Sequence, residues 1–142
     1  MKDPRGIVAA ALLLIIAAGC SGKMSGVVRR DAKRIDIMFT DSRLTVAELV
    51  TVMPNGERFS GKSEAYDKNK EMMSAESKVT DEVAIHFEDI QTFPANAKAN
   101  LTRDRGNVIE CRFKLTDIII GFSSGGVGIC QASDGRVIDV FF

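Results

Sequence analysis

Short stretches of alternating apolar and polar residues run through the chain from residue 35 to its end. The clearest covers 108–115, where Ile109, Cys111, Phe113 and Leu115 fall on one face and the charged residues Glu110, Arg112 and Lys114 fall on the other. Strands with one buried face alternate in this way because successive side chains point to opposite faces of a sheet. Further strands are predicted at 35–40, 83–87 and 136–142 from alternation, at 44–53 from its β-branched residues, and at 127–132. The pattern predicts one mainly β domain over 35–142.

Three turn signals share a common build. Asn55-Gly56, Arg105-Gly106 and Asp134-Gly135 each place glycine second, and each is followed by a strand-like segment. Glycine supplies the positive φ that tight hairpin turns demand. Three residues after each glycine stands a residue predicted to face inward: Phe59, Ile109 and Ile138. The repetition predicts an antiparallel meander that closes into a barrel or folds into a sandwich.

Two segments lack this alternation. Residues 62–80 are polar and of mixed charge, which predicts a long loop or a short helix. Ser123-Ser124-Gly125-Gly126 predicts a flexible connection between two strands. A helix over 46–52 is an alternative to a strand there, but Pro54-Asn55-Gly56 and the neighbouring threonines favour a hairpin.

The N-terminus has a different pattern. Lys2 and Arg5 precede an unbroken apolar run over 7–18, which ends in Ala17-Ala18-Gly19-Cys20. Twelve apolar residues suit a signal-peptide helix and fall short of the roughly 20 that a spanning helix needs. The segment has three features in a fixed order: basic residues, an apolar run, and small residues directly before a cysteine. In this it resembles the lipobox signal peptide of bacterial lipoproteins. An ordinary secretory signal with a chance cysteine is the alternative.

The resemblance implies cleavage after residue 19 and acylation of Cys20, first by diacylglycerol on sulfur and then on the new amine. Membrane lipid would then be a partner, on the far side of the inner membrane. In enteric-type lipoproteins an aspartate after the cysteine retains the protein at the inner membrane; Ser21 therefore favours the outer membrane. Residues 20–34 are predicted to be a flexible tether. Its local charge of +4 suggests contact with anionic head groups, with a solvated linker as the alternative.

Cys111 and Cys130 remain once Cys20 is acylated, and export exposes them to an oxidising compartment. Both lie on predicted strands that flank the glycine-rich connection, so an antiparallel pairing could set them opposite each other. We expect one buried structural disulfide. A redox or metal-binding thiol pair is disfavoured, because the chain has no Cys-x-x-Cys motif and a single histidine.

Candidate chemistry elsewhere is weak. His86 stands alone, Glu88-Asp89 suits a solvated strand end, and the stretch 121–128 lacks the Lys-Ser/Thr of a phosphate-binding loop. We predict no catalytic, cofactor or metal site. A formal net charge of zero and the lack of an aromatic and basic stripe give no indication of nucleic acid. The prediction is a non-catalytic envelope module with a protein or cell-wall partner. The alternative is an inhibitor of a lysozyme or another hydrolase that inserts the 62–80 or 121–128 loop.

Overall fold

The computed structural model describes residues 20–67, 90, 92–103 and 106–142. The strand predicted over 83–87 and most of the 62–80 segment lie outside these residues. Within 62–80, residues 62–65 belong to a strand.

The described residues form eight strands that close into a barrel, each strand antiparallel to its neighbours in chain order. The strands are β1 (Ser21–Val28), β2 (Arg34–Arg43), β3 (Val46–Val52), β4 (Arg58–Ala65), β5 (Ala97–Thr102), β6 (Val108–Leu115), β7 (Gly126–Ala132) and β8 (Val137–Phe141). The predicted mainly β, antiparallel meander is therefore confirmed. Of the two architectures left open by the sequence, the barrel is the one adopted.

The predicted tether was wrong over 21–28, because this segment is β1. It pairs with β2 along one edge and with β8 along the other, so it closes the barrel. Met24 and Val28 are buried on its inner face. Gly22 also lies on that face, where a Cβ would lie 2.5 Å from Cζ of Phe39. Glycine leaves room for this ring, so the inner face of β1 lacks the continuous apolar alternation of a strand such as β6.

The inside of the barrel is filled by apolar side chains that alternate with exposed ones along the strands, as expected for a small barrel. The largest fully buried side chains are Phe59, Phe113, Phe122, Met24, Ile37, Leu49, Met53, Ile90, Leu101, Ile109, Leu115 and Ile138. Most of them belong to one continuous core cluster. A second glycine makes room for this core at Gly128, where a Cβ would lie 2.6 Å from the Phe113 ring.

The meander places four short hairpin turns at one end of the barrel, here called the turn end. Gly56, Gly106 and Gly135 have φ values of +86°, +82° and +91°. In each of these turns the glycine N–H donates to the carbonyl three residues earlier. The repeated turn build predicted from the sequence is therefore confirmed. The fourth turn, between β1 and β2, has Ala32 at a φ of +56° instead of a glycine.

The opposite end, here called the Cys20 end, holds the two longest connections and one short turn. Cys20 precedes β1 there, and the β2–β3 turn and the β6–β7 connection lie at the same end. The connection between β4 and β5, over 66–96, also starts and finishes there.

Candidate functional site

Cys20, the predicted acylation site, lies at the rim of the barrel. It is exposed and its thiol is free. It directly precedes β1, and its carbonyl accepts a hydrogen bond from the backbone N–H of Asp41 at 2.8 Å. The residue that would carry the lipid is therefore attached to the barrel wall without an intervening linker.

Asp41 joins Cys20 to the connection between β6 and β7. It lies at an irregularity in the β2–β3 pairing, between Asp41 and Arg43. Its carboxylate accepts hydrogen bonds from the backbone N–H of Phe122 at 3.2 Å and of Ser123 at 3.0 Å. The Ser123 hydroxyl donates a third, at 2.6 Å. One side chain thus fixes the connection across the end of the barrel.

That connection, residues 117–125, forms what we call the end cap. Its short 3₁₀ helix, Phe122–Ser124, turns Phe122 into the barrel, where this ring is 1% exposed. The ring centroid lies 5.8 Å from that of Phe39 and 5.1 Å from that of Phe113. It also stacks on Phe142, at 5.6 Å. An aromatic cluster therefore closes this end of the core.

The flexible connection predicted over 123–126 was wrong. Ser124 donates through its hydroxyl to the Gly121 carbonyl at 2.7 Å and accepts from the backbone N–H of Asp117 at 3.0 Å. Gly126 already belongs to β7. The 121–128 stretch, one of the two loops on which an inhibitor role would depend, is hydrogen-bonded onto the barrel and does not project from it. Serine and glycine suggested flexibility, but here their hydroxyls and positive φ angles build the cap.

Three consecutive isoleucines, here called the Ile turn (Ile118–Ile120), stand outward from the end cap. They are 51%, 75% and 59% exposed. The Asp117 carboxylate accepts hydrogen bonds from the backbone N–H groups of Ile119 at 2.8 Å and Ile120 at 3.2 Å. The Gly121 N–H donates to the Asp117 carbonyl at 2.9 Å. Sequence reasoning missed this turn; the signal was a run of three apolar residues that does not alternate and lies between aspartate and glycine.

Leu44 lies beside the Ile turn. It is 57% exposed and has a φ of +52°. Its carbonyl oxygen packs so closely on Gly121 that a Cβ there would approach it to 2.4 Å. The β2–β3 turn and the end cap are therefore packed together at the rim that also carries Cys20, and each bears exposed apolar side chains.

Cys111 and Cys130 form the predicted disulfide. They are directly opposite residues of β6 and β7, with Cα atoms 4.1 Å apart, and neither is exposed. The bridge lies on the inner face with Ile109, Phe113 and Leu115, all of them buried. The bridge and its buried placement, both expected from the sequence, are confirmed.

Arg112, on the outer face between the inward residues of β6, is buried rather than exposed. Its guanidinium lies 4.8 Å from the centre of the Tyr66 ring and pairs with Glu110. Only 5% of the Arg112 side chain is accessible. Alternation assigned its face correctly, but it could not show that Tyr66 covers it.

The turn end is charged. Arg29 donates two hydrogen bonds of 2.9 Å to Asp139, and Arg136 pairs with Asp134. Glu57 pairs with Arg103 across two turns, and the hydrogen bond from this guanidinium holds the pKa of Glu57 below its ordinary value of 4.5.

Most of the basic residues of the predicted tether lie at this turn end. The four are Arg29, Arg30, Lys33 and Arg34. Eight residues of β1 separate them from Cys20, which is about 25 Å along the strand. This distance exceeds the Debye length of about 8 Å at physiological salt. Of the basic residues that were predicted to lie close to Cys20, only Lys23 does so.

The remaining candidates give no site in the part of the chain that the structure describes. His86 and Glu88-Asp89 lie outside it. Within it, His, Cys, Asp and Glu side chains form no group of three or more that could hold a metal ion. No helix within the same residues is long and apolar enough to cross a membrane.

The chain was compared with protein-family models, with curated proteins and with solved structures, and none of the three comparisons found a match.

Proposed function

We propose that this chain is an envelope lipoprotein, anchored through acylated Cys20, whose barrel is a non-catalytic binding or structural module. The observation that carries the proposal is the position of Cys20. It is an exposed, free cysteine at the rim of the barrel, and it directly follows the Ala17-Ala18-Gly19 segment that resembles a lipobox.

The interior of the barrel supports recognition at the outer surface. Phe59, Phe113 and Phe122, each at most 1% exposed, fill the space that a ligand-binding barrel would leave for its ligand. A module of this kind meets its partner through its outer face or its connections. An envelope protein or the cell wall is the partner class that the proposed anchor would bring within reach.

Ser21 favours the outer membrane over the inner membrane as the site of anchoring. It is the first residue of β1 and is exposed, so its side chain is open to a sorting machinery that recognises the residue after the acylated cysteine.

The anchoring is tested with Cys20→Ala in cells fed a clickable fatty acid. We expect the unchanged protein to incorporate the label and to fractionate with membranes, and Cys20→Ala to do neither. The matched control is the double variant Cys111→Ala/Cys130→Ala, which also loses cysteines but should keep the label. Incorporation into Cys20→Ala would overturn the assignment.

The binding role is tested by cross-linking intact envelopes and isolating the lipidated protein with what it contacts. Purification of Cys20→Ala from the same cells is the control, because its barrel is unchanged but displaced from the membrane. Assaying the protein against a panel of lysozymes distinguishes the two functions. Inhibition would favour the inhibitor alternative over the binding module.

A further inference from the structure

We propose that the Ile turn and Leu44 insert into the lipid bilayer, so that the barrel stands on the membrane with its Cys20 end down. This inference rests on the proposed membrane anchoring and adds an orientation and a second point of contact. It concerns a surface of four apolar side chains, each more than half exposed.

The Ile turn pairs two of its three backbone N–H groups within itself, which lowers the cost of leaving water. Polar backbone groups that enter an apolar medium without a hydrogen-bond partner are costly. Here the N–H groups of Ile119 and Ile120 donate to the Asp117 carboxylate, and the N–H of Gly121 donates to the Asp117 carbonyl. These hydrogen bonds also hold the turn in one conformation before it meets the membrane, so insertion would cost no further conformational entropy of its backbone.

Leu44 is held in a conformation that a bulky residue rarely adopts. A positive φ is disfavoured for residues with a Cβ, and such strain persists where the surroundings impose it, often at functional positions. At +52°, Leu44 tolerates this conformation while more than half of its side chain is exposed. Glycine would suit the backbone better, which indicates that the apolar side chain itself is used.

Lipid is the occupant that the connectivity favours. The Cys20 carbonyl is bonded to the N–H of Asp41, and the Asp41 carboxylate is bonded to Phe122, two residues after Ile120. Residues 1–19, with their apolar run over 7–18, join the barrel at the same rim. Acyl chains on Cys20, or the apolar run before cleavage, would therefore enter the membrane beside the Ile turn.

Ion pairs lie toward both ends of the barrel, and those nearer the Cys20 end, Lys98–Glu64 and Lys62–Glu48, belong to the strands and not to the Ile turn. The ion pairs of Arg29 with Asp139 and of Arg136 with Asp134 lie at the turn end, remote from Cys20. With the Cys20 end on the membrane, these hydrated groups would face the aqueous phase.

The chain has no tryptophan, so a single introduced tryptophan reports its own surroundings. We would express Ile119→Trp at full length, purify the lipidated protein, and reconstitute it into vesicles of phosphatidylethanolamine and phosphatidylglycerol. The matched control is Val52→Trp, whose position is 52% exposed on the outer face near the turn end. Half of the vesicles would contain a nitroxide-labelled lipid, which quenches only tryptophan that reaches the acyl chains.

We expect Ile119→Trp to show blue-shifted emission and strong quenching by the nitroxide lipid, and Val52→Trp to show neither. Adding Leu44→Gly to Ile119→Trp should reduce the quenching without lowering the melting temperature. Vesicles that carry the protein but do not quench Ile119→Trp would overturn the insertion and leave the anchor intact. Protein that fails to float with vesicles would overturn the anchor as well.

Discussion

The carboxylate of Asp41 accepts a hydrogen bond from the backbone N–H of Phe122, 81 residues further along the chain. It joins the irregular end of β2 to the short helix that turns an aromatic ring into the core. The bond therefore couples three features of the Cys20 end: the rim at Cys20, the end cap and the aromatic cluster.

Replacing Asp41 with alanine should destabilise the barrel by about 1–3 kcal/mol. Hydrogen bonds to charged groups are worth more than neutral ones, and this carboxylate accepts three of them. Urea unfolding of the variant gives the free energy. The matched control is Asp36→Ala, because Asp36 is also an aspartate of β2 but makes one exposed ion pair, 3.5 Å from Lys23. Equal losses in the two variants would contradict the role assigned to Asp41.

Phe122→Ala should cost about 3–5 kcal/mol, because it removes a buried ring and leaves a cavity among three other phenylalanines. Phe141→Ala is the control. Phe141 is 53% exposed on the outer face, and its loss should cost less than about 1 kcal/mol. The comparison of the two unfolding midpoints decides the prediction. A Phe122→Ala variant as stable as Phe141→Ala would mean that the end cap contributes no packing.

Much of the strand framework could be predicted from sequence because most strands bury one face and expose the other. The bounds predicted for β6, 108–115, are those observed. Strand β1 was not predicted, because two of its four inward positions, Gly22 and Gly26, have no side chain. Their space is occupied by Phe39 and Ile35 of β2. Which side chain occupies the space beside a glycine depends on the register between two strands, and the residue pattern of a single strand does not show that register.

Only part of the candidate site could be predicted from the sequence. Cys20 follows from a motif, and the Cys111–Cys130 bridge follows from parity and alternation. Neither the Ile turn nor the role of Asp41 could be predicted from a motif or from alternation. Asp41 binds Phe122 and Ser123 of the end cap, about 80 residues along the chain, and this contact depends on barrel closure. From sequence alone, a serine- and glycine-rich segment is interpreted as a flexible linker, because the segment does not show which distant carboxylate binds it.

The three glycine turns and Ala32 allow a test of backbone strain. Gly56→Ala and Gly135→Ala should each cost about 1–2 kcal/mol, since both residues have positive φ and an added Cβ would meet no atom within 4 Å. Ala32→Gly should leave stability unchanged or raise it by up to about 1 kcal/mol, because strain relief is offset by greater freedom of the unfolded chain. Thermal unfolding of the three variants shows whether stability falls in the two glycine-to-alanine variants and is kept or raised in Ala32→Gly. A clear loss in Ala32→Gly would contradict the assigned strain.

The Glu57–Arg103 pair should make stability depend on pH in the acidic range. The pKa of Glu57 is lower in the folded barrel than its ordinary value of 4.5. Its contribution is therefore fully present above pH 4.5 and is lost as the pH falls through the folded pKa. Glu57→Gln should be less stable than the unchanged protein at neutral pH, and the difference should narrow on acidification. Glu48→Gln, which loses only an exposed pair at 3.8 Å, is the control and should show little difference throughout.

The disulfide should account for a substantial part of the stability of the barrel. Cys111 and Cys130 are 19 residues apart, and closing a loop of this size in the unfolded chain is worth about 3 kcal/mol in the chain-entropy model. Cys111→Ala/Cys130→Ala avoids the buried, unpaired hydroxyls that serine would introduce. We expect its urea midpoint to fall by about 1–3 M, given typical denaturant slopes of about 1–3 kcal/mol/M for small domains. Its far-ultraviolet circular dichroism should still show a β protein, because both strands keep their pairing and their inward apolar residues.

Cys20→Ala separates this effect from the loss of a thiol as such. Cys20 is exposed and outside the bridge, so its replacement should leave the urea midpoint of the unacylated protein unchanged. Mass spectrometry of the non-reduced, digested protein should yield a peptide that joins β6 to β7. Free thiols at both positions in protein isolated from its native compartment would refute the bridge. An unchanged midpoint in the double variant would instead mean that the barrel holds these strands together equally well without it.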